Sequence, residues 1–243
     1  MPMKYGIIGG SGLDDPQLLQ DHHEVEVETP FGKPASLISV GKINGVDVAI
    51  LARHGKDHSI MPTKVPYRAN VWALKELGCT HILTTTACGS LKEEIAPGDL
   101  VFLDQFVDFT KHRNLTFYED KVVHTSMAEP FDADLRGKLV DAAKAFGFKH
   151  HEKGTIITIE GPRFSTKAES HLFRSWGIDV VNMSTVPEVI LANELQIPYQ
   201  AIAMATDYDC WREGEEAVTW EMILERMQGN AERVKRLLIV IIK

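Results

Sequence analysis

The chain has 243 residues, of which 44% are hydrophobic and 25% charged, with a formal net charge of −8. That length suits one large α/β unit or two small ones, and an acidic balance without a basic stripe argues against nucleic acid as the main partner. No apolar run approaches the length of a membrane span, and the N-terminus lacks the order of a secretory signal.

No linker, low-complexity stretch or repeat divides the chain, so residues 1–243 read as a single domain. Tyr5–Ile8 is a short apolar strand running into Gly9-Gly10-Ser11-Gly12. Ser36–Ile43 and Val46–Leu51 flank Asn44-Gly45, a hairpin signal because both residues tolerate positive φ. Tyr67–Leu77 reads as a helix ended by Gly78. The apolar pattern then predicts strands at His81–Thr86, Leu100–Leu103 and Thr155–Ile159, with a helix over Leu135–Ala145. Thr166 and Glu169 form a capping box for a helix reaching Trp176. Asp179–Val181 is a strand, and Thr185 with Glu188 predicts a second capping box, with Pro187 in the first turn. Tyr199–Ala205 is a strand, and the last helix starts near Thr219 with Ile223, Met227, Val234, Leu238 and Ile241 on one face. Strands alternating with helices predict an α/β fold with a central mixed sheet flanked by helices, and a ligand site beyond strand C-terminal ends.

Asp207 and Asp209 follow the last apolar strand and share a face if strand geometry persists. Carboxylates there cost free energy unless partnered, and a purine, with N–H groups and a protonatable nitrogen, is a fitting partner. The other reading is a pair that simply opens a loop. The Gly9–Gly12 loop offers backbone N–H groups and the Ser11 hydroxyl to a phosphate, or is a tight turn; it has neither the P-loop lysine nor the dinucleotide glycine spacing. Arg53 can grip an anion in a fork of N–H donors and His54 can add a donor; an ion pair and a satisfied histidine are the plainer readings. His54 and His58 are spaced like zinc ligands on a helix, but Gly55 lies between them and no HExxH glutamate is present, so no metal is expected. Thr84-Thr85-Thr86 should turn at least one hydroxyl to the cleft, and Ser184 either caps a helix or meets an anion there. Cys79, Cys88 and Cys210 are odd in number and far apart, which points to free thiols in a reducing, cytoplasmic setting.

Six segments together resemble the trimeric purine nucleoside phosphorylase and methylthioadenosine phosphorylase family: Gly6–Gly12, Ala52–Gly55, Thr85–Ser90, Glu160–Phe164, Asn182–Glu188 and Ala205–Trp211. The resemblance runs from about Lys4 to the final helix and implies a homotrimer, or a dimer of trimers, without metal or organic cofactor. It implies that Ser11, Arg53, His54, Thr86, Ala87 and Ser184 hold inorganic phosphate. Met183 would lie against the ribose, Asn182 and Phe164 would border base and sugar, and His124 would reach a neighbouring subunit's site. Asp207 would bond the purine N7 and 6-amino edge, with Asp209 nearby. Family members acting on 6-oxopurines resemble one another in carrying Asn and Glu where this chain has Asp207 and Ser165, so both positions favour adenine. Trp220 stands where ordinary nucleoside enzymes place a His near the 5'-hydroxyl, and its apolar bulk suits a methylthio group. The implied reaction is phosphorolysis of methylthioadenosine, with a purine nucleoside phosphorylase for adenosine or 6-oxopurine nucleosides as the nearest alternative and a non-catalytic purine-binding protein as a more distant one.

Overall fold

The computed structural model describes residues 3–9, 16–214 and 219–243, apart from the side chains of residues 16, 220–225 and 228. Ser11 therefore lies outside the described residues, as do the side chains of Trp220 and Ile223. The strands in chain order are β1 (Lys4–Gly9), β2 (Gln20–Val25), β3 (Ile38–Ile43), β4 (Val46–Ala52), β5 (His81–Ser90), β6 (Leu100–Phe102), β7 (Gln105–Phe109), β8 (His150–His151), β9 (Thr155–Ile159), β10 (Val180–Asn182) and β11 (Tyr199–Asp207). The helices are α1 (Tyr67–Glu76), α2 (Ala133–Phe146), α3 (Lys167–Ser175), α4 (Thr185–Glu194) and α5 (Trp220–Ile241).

All these strands join one mixed sheet, and β5 is its pivot. The first half of β5 pairs in parallel with β1, from Tyr5 opposite His81 to Ile8 opposite Thr84. Its far end pairs antiparallel with β10, Val181 lying opposite Gly89. Along its other edge β11 runs parallel, from Tyr199 opposite Ile82 to Asp207 opposite Gly89. Both β5 and β11 are buried over most of their length; β11 reads as a near-continuous apolar run, whereas β5 carries Thr84, Thr85 and Thr86 in its buried middle. On one face α1 and α4 contribute Val71, Leu74, Val189 and Leu191 to a core. On the other, α2 and α5 contribute Leu135, Leu139, Val234 and Leu238. The predicted mixed α/β fold with flanking helices is what forms. No helix among the described residues is long and apolar enough to cross a membrane.

Local signals mostly held. Asn44 (φ 51°) and Gly45 (φ 80°) make the two-residue hairpin turn. The Thr166–Glu169 capping box is complete, and Gly147 closes α2 in the left-handed region. The expected Thr185–Glu188 box does not form: Ser184 occupies the N-cap, Val186 is non-helical, and Glu188 turns inward to Arg53. A buried guanidinium is a stronger attraction for that carboxylate than a helix-start N–H. Strand β5 continues through Ala87–Ser90, four residues past its predicted end at Thr86, because β10 and β11 pair with that stretch. Strands β2, β7 and β8 were not anticipated. β2 is largely exposed and polar at the sheet edge, and β8 spans two residues, so neither carries an apolar pattern.

Candidate active site

The ends of β4, β5, β9, β10 and β11 open onto one cavity of about 500 Å³, inside the range of about 300–1,000 Å³ usual for small-molecule sites. The described candidate residues Arg53, His54, Thr86, Ala87, Phe164, Ser165, Asn182, Met183, Ser184, Asp207 and Asp209 all line it. His124 does not: it sits exposed in the segment 111–130, which contains no helix or strand.

At one end the wall is rich in hydroxyls. Arg53 follows β4 and is almost wholly buried. Its Nε donates to Glu188 Oε1 (2.5 Å) and its Nη2 to Glu188 Oε2 (3.1 Å). Nη2 also donates to Thr84 Oγ1, and Nη1 donates to the Thr85 carbonyl (3.0 Å). Burial works against the Arg53 charge, yet Glu188 more than offsets this and holds its pKa above the ordinary arginine value. Of the two sequence readings for Arg53, an anion-gripping fork and a surface ion pair, an ion pair forms, but a buried one, with Glu188; it leaves one of the five guanidinium N–H groups for a ligand.

His54 follows the plainer of its two readings, a histidine satisfied by the protein. Its Nδ1 lies 2.8 Å from the Ile60 carbonyl oxygen. That oxygen can only accept, so Nδ1 carries the proton and the neutral ring offers an acceptor, not a donor, at Nε2. Burial, then the Arg53 charge, push the His54 pKa down to about 4. The Thr86 and Ser184 hydroxyls sit 2.9 Å apart, bridging β5 and the start of α4. Asn182 holds them: its Oδ1 accepts from Thr158 Oγ1 (2.7 Å), while Nδ2 donates to Thr86 Oγ1 (2.9 Å) and Thr185 Oγ1 (2.7 Å). Although Asn182 lines the cavity, its amide is therefore committed to the protein framework rather than free for base or sugar.

At the other end stand the two acids. Strand geometry does not persist to Asp209: the β11 register shifts between Ala205 and Asp207, and Asp209 adopts φ 51°. The acids converge through this turn rather than by strand alternation, and the Asp209 N–H donates to Asp207 Oδ1 (2.7 Å). Thr206 Oγ1 donates to Asp207 Oδ2 (2.7 Å). Burial raises the Asp207 pKa against the pull of these two hydrogen bonds, and the Asp209 charge adds to the rise. Burial raises Asp209 as well. Gly89 makes this packing possible, since a Cβ there would lie 3.0 Å from Asp207 Oδ1 and 3.2 Å from Asp209 Cβ. Gly161 (φ 68°) does the same for the third wall: a Cβ on it would come within 2.5 Å of Met183 Sδ. Phe164 stands over the cavity and is 43% exposed.

Sequence reasoning missed Glu188 as the Arg53 partner, the Thr206 hydroxyl beneath Asp207, and Met227 of α5 in the cavity wall. Only Thr206 left a local signal, as the hydroxyl preceding the acid. The described residues contain no cluster of His, Cys, Asp and Glu fit to hold a metal ion.

Residues 4–243 match the model of the phosphorylase superfamily. The S-methyl-5'-thioadenosine phosphorylase of Xenopus tropicalis is 58% identical, over 99% of this chain and 88% of that protein. Its counterpart in Drosophila melanogaster is 51% identical, over 98% and 85%. Among solved structures, the methylthioadenosine phosphorylase of Schistosoma mansoni in complex with adenine superposes with a TM-score of 0.95 at 45% identity, covering 99% of this chain and 91% of that one. A variant of the adenosine/methylthioadenosine phosphorylase of that organism, in complex with methylthioadenosine, gives 0.94 at 44% identity over 99% and 90%.

Proposed function

The chain belongs to the phosphorylase superfamily, and from that footing we infer that it catalyses reversible phosphorolysis of S-methyl-5'-thioadenosine, giving adenine and 5-methylthioribose 1-phosphate. The observation that carries this reading is the polarity of one cavity, with buried hydroxyls and a guanidinium at one end and two buried acids at the other. Breaking the C–N bond builds positive charge on the ribose and negative charge on the purine. An anion at the Thr86–Ser184 end faces the first. A proton or hydrogen bond at N7 relieves the second, and the raised Asp207 is suited to supply it.

We assign phosphate to Arg53, Thr86, Ala87, Ser184 and His54, and also to Ser11, which lies outside the described residues. Asp207, assisted by Asp209, takes the adenine edge, because a carboxylate matches a 6-amino donor as it does not match a 6-oxo acceptor. Met183 and Phe164 flank the sugar and base. Asn182 acts as a positioning residue for the hydroxyl pair. The apolar Met227 in the wall, on the helix that Trp220 opens, favours a methylthio group over a hydroxyl at the 5' position.

The assembly we propose is a homotrimer in the cytoplasm. Val122, 82% exposed, and Val123 beside His124 are apolar surface that a neighbouring subunit would cover. The unpaired Cys79, Cys88 and Cys210 suit a reducing compartment.

The test is an assay across methylthioadenosine, adenosine and inosine, with and without phosphate. Free adenine and a sugar phosphate should appear only with phosphate and fastest from methylthioadenosine. Base release without phosphate would make the protein a hydrolase, and preference for inosine would overturn the base assignment.

A further inference from the structure

Donors and acceptors at the hydroxyl-rich end are unequally distributed. Asn182 Nδ2 feeds lone pairs on Thr86 and Thr185, and lies 3.4 Å from Ser184 Oγ. The Thr86–Ser184 pair is thus supplied with incoming hydrogen bonds; one of its two protons is used within the pair and Thr86 Oγ1 also lies 3.0 Å from the Ala87 carbonyl, so the pair has at most one proton to give, that of Ser184. Arg53 keeps one N–H, and is a donor throughout. His54 is the exception. Its Nδ1 proton is spent on the Ile60 carbonyl, so on this cavity-lining residue Nε2 is the ring nitrogen with a lone pair to offer.

A second proton on that ring is opposed from several sides. Arg53 precedes it, the His58 ring lies 4.4 Å away centroid to centroid, and Arg113 adds a cation from the segment after β7. Asp57 on its own loop, Cys88 on β5, Asp207 at the end of β11 and Asp209 just beyond it are the other titratable groups lining the cavity. Burial and the cations prevail, and the ring is neutral at physiological pH.

The geometry points to His54 as a selector for an oxyanion that itself carries a proton: Nε2 accepts the P–OH of hydrogen phosphate, while sulfate sets lone pair against lone pair. This rests on the phosphate assignment made above and adds a direction to it. An acceptor beside the Arg53 N–H and the Thr86–Ser184 hydroxyls matches the single hydroxyl of hydrogen phosphate, and a site built for one hydrogen-bond pattern rejects its complement strongly. Sulfate binds well only after His54 takes up a proton from solvent. Its binding is therefore linked to pH, whereas phosphate brings its own proton.

The experiment is sulfate inhibition of methylthioadenosine phosphorolysis at constant ionic strength between about pH 5.5 and 8.5. Sulfate should compete with phosphate, with an inhibition constant that rises with pH by up to about tenfold per unit, the slope for one proton. Arsenate, which keeps a proton over this range, should compete with a pH dependence like that of the phosphate KM. In His54→Gln the side-chain amide can donate. The sulfate inhibition constant should then be flat with pH, and the preference for phosphate over sulfate should fall about tenfold or more. Sulfate inhibition in the unaltered protein that is independent of pH and as strong as phosphate binding would overturn the inference while leaving a phosphate-dependent enzyme. Turnover without phosphate would instead remove the assignment beneath it, and the inference with it.

Discussion

At the oxyanion end of the cavity nearly every polar side chain is cross-bonded to the framework: Arg53 to Glu188, Thr84 and the Thr85 carbonyl, and Asn182 to Thr158, Thr86 and Thr185. At the base end Asp207 has two incoming hydrogen bonds, Asp209 sits in a left-handed turn, and burial raises both acids. The Ser165 and Ser170 hydroxyls lie near Asp209 without completing a hydrogen bond to it. One end is held rigid by the framework with a few groups left for an anion; the other keeps two buried acids whose ionised form is penalised. The difference follows from the two tasks. A bound anion is stabilised by donors that need no reorganisation. An acid that must hand over a proton has to be kept uncomfortable as a carboxylate.

Removing the acid should break the comparison most sharply. Asp207→Ala is expected to lose roughly 10²–10⁴ in kcat on methylthioadenosine, with a much smaller change in the KM for phosphate. Steady-state kinetics with phosphate varied would show it, and near-normal turnover would remove Asp207 from the mechanism. Asp207→Asn should in addition improve the use of inosine relative to methylthioadenosine, since an amide can donate to a 6-oxo group.

At the opposite end the large effect should be on stability. Glu188→Ala strands a buried guanidinium, which should cost about 3–5 kcal/mol. Urea denaturation measures it. The comparison predicts that Asp209→Ala, at the other end, costs far less or is neutral. Equal losses at both ends would show that the base end is cross-bonded too. Between these falls Gly89→Ala, whose Cβ would sit 3.0 Å from Asp207 Oδ1. Displacing that carboxylate should lower kcat roughly tenfold or more, and overpacking should cost about 1–3 kcal/mol.

The base end was the more legible in sequence. Asp207 ends an apolar strand, and a carboxylate in that place announces itself because no cation stands beside it in sequence to pair its charge. Strand β11 was readable for the same reason that it is buried: apolar residues on both faces leave no alternation to misread, whereas the polar last residues of β5, through Ser90, were not recognised as strand. The oxyanion end was recognisable by residue type and wrong in its bonding. Arg53 and Glu188 are 135 residues apart, and a local capping rule offered Glu188 a different partner. Asn182 is oriented by Thr158, 24 residues earlier. Whether His54 donates or accepts depends on a carbonyl six residues on, in a loop whose path no periodicity records. Local pattern reveals where a chain stores an unpaired group. It says little about groups whose partners are distant, because pairing is a property of the fold.

The smallest effect tests whether Asp207 is held at a cost. Its folded pKa is raised by burial, so the folded state binds its proton more tightly than the unfolded chain does. At low pH the carboxyl is neutral in both states and the raised pKa takes nothing from stability. As pH climbs from the ordinary aspartate value, near pH 4, through the folded value, the folded state is left with a poorly solvated charge and loses stability. Asparagine carries no such charge. Its amide can donate to Thr206 Oγ1, whose own proton already has the Cys88 carbonyl within 3.2 Å, and its carbonyl can accept from the Asp209 N–H. Asp207→Asn should therefore gain in melting temperature relative to the unaltered protein as pH rises from about 4 to 7, while losing most of its activity on methylthioadenosine. Thermal denaturation of both proteins across that range decides it. A difference that shrinks or reverses with rising pH would mean that the two hydrogen bonds outweigh burial, and that the acid rests comfortably where its chemistry requires that it should not.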